Sequence, residues 1–144
     1  MRWQGVANAM VRGILRTPVL CRAAGNRLIT MYIRGRKSGK LYVVPVAYTP
    51  LNDVLVVGTP FGWGKNLRTG DQVDIRLKGR RRPADVTVFT DEVGVGERYA
   101  LMARDNKSFA SFNNIGFDAA GNPEPADLHA AWAAGARAFE LVVR

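Results

Sequence analysis

The chain has 144 residues, 47% hydrophobic and 23% charged, which supplies apolar material for one buried core and excludes the composition of a disordered segment. Its formal net charge is +9, and the excess lies wholly at the front: residues 1–52 carry nine Lys/Arg and no Asp or Glu, whereas residues 53–144 carry twelve of each. An anionic partner is therefore expected, whether nucleic acid, membrane surface or small molecule, while the lone Cys21 excludes an internal disulfide and a cysteine-based zinc site.

In chain order, Trp3, Val6, Ala7, Met10, Val11 and Ile14 share one face at helical spacing, and Gln4, Asn8, Arg12 and Arg16 line the other. That pattern predicts a basic amphipathic helix over 1–17, stopped at Thr17-Pro18. Its apolar face suits closing over the core, enclosing a substrate with Met10 among the contacts, or lying on a membrane surface. No apolar run reaches the ~20 residues of a spanning helix, and Gln4, Asn8 and Arg12 make the N-terminus too polar for a secretory leader. Cytoplasmic placement is expected, with peripheral membrane contact through this helix as an addition.

Alternating apolar residues predict strands over Arg27–Arg34, Leu41–Tyr48, Val54–Gly58, Val73–Lys78 and Ala84–Phe89, with a tight hairpin at Asn52-Asp53. Helices are predicted over Glu97–Arg104 and Ala126–Ala134, a loop over Ala119–Pro125 and a terminal strand over Ala136–Val143. Many short strands with few helices predict a mainly β, α+β fold built on a closed or partly open antiparallel barrel, in one domain over 1–144 with barrel and short C-terminal helices from residue 25 onward.

Two segments carry chemistry. Arg34-Gly35-Arg36-Lys37-Ser38-Gly39-Lys40 joins the first two strands as a turn with four cations and one hydroxyl, so backbone amides, Ser38 and the Arg36 and Lys37 cations can converge on a phosphate or carboxylate. Gly58-Thr59-Pro60-Phe61-Gly62-Trp63-Gly64-Lys65-Asn66-Leu67 leaves the third predicted strand as a Gly-rich loop opening a short helix. Its glycines permit close approach of the backbone to a planar ring, Trp63 can pack beside that ring or anchor the core, and Lys65 and Asn66 can reach phosphate. Brought to one end of a barrel, the two loops would make a groove with a cationic side and a flat apolar side.

The single His129 excludes a histidine triad or metal cluster, and no metal is expected. A chain that binds something flat and anionic while offering little reactive machinery suits a cofactor enzyme. Tyr48, Tyr99 and Ser108 are the candidate proton donors. The aromatic stretch Ser108–Phe117 is a candidate substrate wall, with Phe109 and Phe112 foremost, although its spacing also suits a buried helical turn. Arg76, Lys78 and Arg80–Arg82 read as a solvated strand and turn, and Val73–Phe89 supplies only Phe89 for base stacking, so nucleic acid is not the expected partner.

The order strand, G-R-K-S-G at 35–39, strand with Val44-Pro45-Val46-Ala47-Tyr48, hairpin, strand ending Val56-Val57-Gly58, then Trp63-x-x-Asn66-Leu67 and Val73-Asp74-Ile75, resembles the deazaflavin-dependent nitroreductase family over about residues 25–90. The resemblance implies a split, FMN-binding-protein-like antiparallel barrel that binds coenzyme F420. It places the cofactor's phosphate and oligoglutamate tail on Arg36, Lys37 and Ser38, and the ring against Pro45 and the loop Thr59-Pro60 to Trp63. The implied activity is hydride transfer from reduced F420 to an activated alkene, quinone or nitro compound, with FMN as the alternative cofactor in the same fold. Where the family commonly carries an aromatic after the Trp, this chain has Gly64. Monomer and dimer both remain open.

Overall fold

Among the described residues the strands are seven: β1 (Leu28–Arg34), β2 (Leu41–Ala47), β3 (Thr49–Leu51), β4 (Val54–Thr59), β5 (Gln72–Leu77), β6 (Arg80–Phe89) and β7 (Arg137–Val143). The computed structural model describes residues 27–144, so the helix predicted over 1–17, with Met10, lies outside the described residues. All strand pairs are antiparallel, in the order β2-β1-β5-β6-β7-β4-β3. The two edge strands, β2 and β3, are consecutive and separated only by Tyr48. Two residues reach about 7 Å at most, so the ends of a seven-stranded sheet must come together, and the sheet curls into a split barrel.

Inward-facing residues fill this barrel. Ile29, Met31 and Ile33 of β1 meet Tyr42 and Val44 of β2, Ile75 of β5, Val86 of β6, Val57 of β4, and Phe139 and Leu141 of β7 in one buried cluster. A second cluster lies on the outer face of β4 and β7, where Val56 and Ala138 pack under the helices α1 (Glu92–Asp105), α2 (Lys107–Phe112) and α3 (Pro125–Ala133). Arg98 of α1 pairs with Glu140 of β7 at 2.8 Å, locking helix to sheet. At the other end of α1, Asp105 accepts from Arg27 and, at 2.9 Å, from the Thr49 hydroxyl. Burial pushes the Asp105 carboxyl up, but these hydrogen bonds and the Arg27 charge outweigh it and hold the group below the usual carboxylate range.

Three elements differ from the sequence reading. Tyr48 is the corner between the sheet's edges, and β3 follows it through Pro50, which an edge strand tolerates because it needs no donor on its open side. β6 begins at Arg80 and runs through Pro83. The Pro83 carbonyl accepts from the Arg144 N–H at 2.9 Å, so the side on which proline lacks its donor faces the very end of β7, where little is lost. α1 starts five residues before the predicted helix because Asp91 caps it, accepting from the Gly94 N–H at 2.9 Å, and this cap offsets the poor propensity of Gly94 and Gly96.

Candidate functional site

Because β1 and β4 run the same way in the barrel, the turn after β1 and the Gly-rich loop after β4 emerge at one end. They are joined there. The Arg36 backbone N–H donates to Asn66 Oδ1 at 3.1 Å, its Nε donates to the Asn66 carbonyl at 3.1 Å, and its Nη2 meets Asp71 Oδ2 at 2.6 Å. Asp71 also accepts from the Arg68 N–H at 2.9 Å, and Asn66 Nδ2 donates to the Trp63 carbonyl at 3.0 Å. The cationic turn is itself ordered by Gly39 N–H to the Gly35 carbonyl at 2.9 Å, by Lys40 N–H to Ser38 Oγ at 3.2 Å, and by Arg34 Nη1 to the Gly39 carbonyl at 2.7 Å.

This junction divides the residues expected to hold an anion. Arg36 and Asn66 commit donors and acceptors to each other and to Asp71, so their first role is to weld the two loops together. Lys37, Lys40 and Lys65 are exposed, and no hydrogen bond or ion pair engages their ammonium groups among the described residues. Asp71 is the member that sequence reasoning missed: an Asp after Thr69-Gly70 reads as an ordinary turn residue, and nothing local links it to an Arg 35 positions earlier. An open cleft of about 430 Å³ adjoins the junction, lined by Tyr32, Arg34, Arg36, Leu41, Asn66 and Asp71 among others.

Along the Gly-rich loop the residues separate by burial. Thr59 is buried and its Oγ1 accepts from the Phe61 N–H at 3.0 Å, which bends the chain out of β4 at the exposed Pro60. A 3-10 turn follows over Gly62–Asn66. Trp63, only 2% exposed, points into the barrel and stacks on Phe139 at 6.0 Å, the placement of a core anchor. Gly64 is buried beside it. A Cβ there would stand 2.9 Å from Thr59 Cγ2 and 3.1 Å from the Phe139 ring, which leaves no room for a larger residue. Pro45 is buried in β2 opposite Thr30, alternating to the face away from Val44 and Val46.

The aromatic stretch is split by α2. Asn106 caps this helix, accepting from the N–H groups of Ser108 and Phe109. Phe109, partly buried, turns toward the helical core and meets Tyr99 edge-on at 5.1 Å. Phe112 is 37% exposed and meets Phe61 edge-on at 5.9 Å, so it joins the Gly-rich loop in an apolar wall. Ser108, four residues before Phe112, lies on the same side of the helix. Of the tyrosines, Tyr48 is buried in the barrel core, and Tyr99 is 0% exposed between β4 and α1. Neither faces the wall.

Among the described residues the Tyr99 hydroxyl has no hydrogen-bond partner, and burial pushes its pKa well above the normal tyrosine value. Removing it as Tyr99→Phe is expected to stabilise the fold by about 1 kcal/mol, since an unmade buried hydrogen bond is deleted with the ring retained. Because the folded pKa is the higher one, the neutral hydroxyl's contribution is intact below about pH 10, where the unfolded tyrosine ionises, and is lost as pH rises beyond it. Urea unfolding at pH 8 and at pH 10.5 checks this: the parent declines with alkalinity more than the Phe variant. A Phe variant weaker than the parent at pH 8 would show that the hydroxyl has a partner.

Among the described residues no group of three or more His, Cys, Asp and Glu could hold a metal ion, and no helix is long and apolar enough to cross a membrane. No family model matches the chain. A Mycobacterium tuberculosis protein named "Putative F420H(2)-dependent quinone reductase Rv3178" is 33% identical over 88 residues, which cover 56% of this chain and 71% of that one. Among solved structures, a FAD-binding protein of Mesorhizobium loti superposes with a TM-score of 0.46 at 17% identity, covering 89% of this chain and 90% of its own.

Proposed function

The chain belongs to the family of the Mycobacterium tuberculosis protein Rv3178, and from that premise we propose that it is an oxidoreductase using reduced F420 to reduce activated alkenes, quinones or nitro compounds of apolar character. The observation that carries this reading is the Arg36–Asn66–Asp71 junction. It holds the cationic turn against the Gly-rich loop and leaves Lys37, Lys40 and Lys65 open for anionic groups. The 3-10 turn between Phe61 and Asn66 separates the aromatic wall from the cations by about 10 Å at roughly 2 Å per residue. A ligand with a flat ring at one end and several negative charges at the other fits that spacing and that donor set, and the relative's name supports F420 as the ligand.

Lys37, Lys40 and Lys65 would hold the phosphate and carboxylates of the tail as charge-assisted partners, with Ser38 and the turn amides beside them. Pro60, Phe61 and Phe112 would flank ring and substrate and exclude water from them. When bound, reduced F420 supplies a hydride to the electrophilic carbon or nitrogen of the substrate. The matching proton would come from Ser108, which lies four residues before Phe112 on the same side of α2; Tyr48 and Tyr99 are buried away from that wall.

FMN is the alternative within the same fold. It offers one phosphate to a turn with several open cations, so an oligoglutamate tail gains more charge pairing. Fluorescence titration is expected to show tighter binding of F420 than of FMN, weakening as salt is raised. Equal or better affinity for FMN would overturn the assignment of cofactor.

A further inference from the structure

Asp71 brings a carboxylate to the cationic end of the barrel, on a main chain that is fixed without its side chain. The Asp71 N–H donates to the Arg68 carbonyl at 3.0 Å, and the Val86 N–H of β6 donates to the Asp71 carbonyl at 2.9 Å. From this base the side chain lines the open cleft, where Oδ2 accepts from the Arg68 N–H at 2.9 Å and from Arg36 Nη2 at 2.6 Å. The ion pair is within reach of a ligand, with the Arg36 and Asp71 side chains 38% and 35% exposed. Arg36 is also held by Asn66, which receives its Nε on the carbonyl and its backbone N–H on Oδ1, so the two loops stay joined if the carboxylate lets go. Among the described residues the side-chain bonds of Arg36 leave from Nε and Nη2, and the Nη1 donors remain for a further acceptor.

We propose that Asp71 is a resident competitor for the anion site, a carboxylate that neutralises Arg36 until a phosphate or carboxylate of the ligand takes its place. The inference rests on the reading in which the cationic turn holds a ligand's anionic groups, and it deepens that reading. Asp71 acts on the ligand through Arg36, which makes it a positioning residue. A compact anion that takes Arg36 from Asp71 exchanges one charge-assisted pair for another and then lies beside the released carboxylate, so it gains little. A ligand with several anionic groups gains Lys37, Lys40 and Lys65 as well, because its later contacts form within an already bound molecule. The internal carboxylate thereby raises the number of anionic groups that a ligand needs in order to bind. Its charge and its geometry are separable, since an asparagine Oδ1 accepts from the same Arg68 N–H and Arg36 Nη2 without competing as an anion.

The test is calorimetric titration of pyrophosphate, and separately of F420, into the full chain and into Asp71→Asn, beside thermal melting of both. The variant is expected to bind pyrophosphate about three- to tenfold more tightly and to melt slightly lower, because the fold loses a charged pair and the site loses a competitor. A residue that only joins the loops would lower both. The gain is expected to vanish when Arg36→Gln accompanies the change, and to be absent from Asp71→Glu, which restores the charge. If the Arg36 variant fails to fold, the comparison of Asn with Glu decides alone. If Asp71→Asn itself fails to fold, the parent decides: saturating pyrophosphate is expected to shift the NMR signal of the Asp71 carboxyl carbon, and an unmoved signal overturns the proposal. Unchanged or weaker pyrophosphate binding by Asp71→Asn, an equal gain in Asp71→Glu, or a gain that persists with Arg36→Gln overturns it as well. A parent that binds pyrophosphate and not F420 would sink the cofactor reading alone, whereas F420 binding with no pyrophosphate gain in Asp71→Asn would sink this inference alone.

Discussion

Lys37→Ala is expected to weaken F420 binding by about 1.5–3 kcal/mol, roughly 10- to 150-fold, with an unchanged melting temperature. The asymmetry follows from the junction. Lys37 is exposed and engages nothing within the described chain, so its ammonium is available to a ligand and removing it leaves the fold intact. Arg36 is the opposite case, because its backbone and side chain bind Asn66 and Asp71. Arg36→Ala is therefore expected to lower stability and affinity together, and Arg36→Lys to fail as a rescue, since a single ammonium cannot serve the Asn66 carbonyl and the Asp71 carboxylate from the positions of a planar fork. Cofactor titration beside thermal melting separates the two variants. An unchanged dissociation constant for Lys37→Ala would return the turn to the status of a solvated hairpin.

Gly58→Ala is expected to destabilise the protein by about 1–3 kcal/mol although it adds a single methyl group. A Cβ at this position would stand 2.6 Å from Tyr99 Cε1 and 2.7 Å from Met102 Cε. The methionine methyl can swing aside, but the tyrosine ring is pinned against Phe109, so the strain passes to the contact between β4 and α1. Gly58 immediately precedes Thr59 and the bend at Pro60, so the same displacement reaches the apolar wall. The urea midpoint measures the effect, and a midpoint equal to the parent's would show that the helix moves freely on the sheet. The sequence suggests Gly58 for close approach to a ring; in the structure, the close neighbours are the protein's own Tyr99 and Met102.

Most of the strand framework is legible without the structure, because β1, β2, β5 and β7 alternate or run as β-branched and aromatic stretches, β4 is a continuous apolar run, and each is bounded by glycines, prolines or charges. The cationic turn and the Gly-rich loop are legible for the same reason: each is a contiguous composition. β3 and the first half of β6 are not, since Pro50 and Pro83 are unfavourable by local rules and are tolerated only because of what lies, or does not lie, on the adjacent strand. The candidate site shows the same division. Sequence determined that a turn with four cations and one hydroxyl and a Gly-rich loop exist in this chain. Only the tertiary structure decided which cations remain open, because the partners of Arg36 lie 30 and 35 positions away, and which phenylalanine faces outward, because Phe109 and Phe112 differ by less than one helical turn and are sorted by Tyr99 on one side and Phe61 on the other. Local patterns fix backbone periodicity, but commitment of a side chain is a long-range property, set by whichever group folding brings within a few ångströms of it.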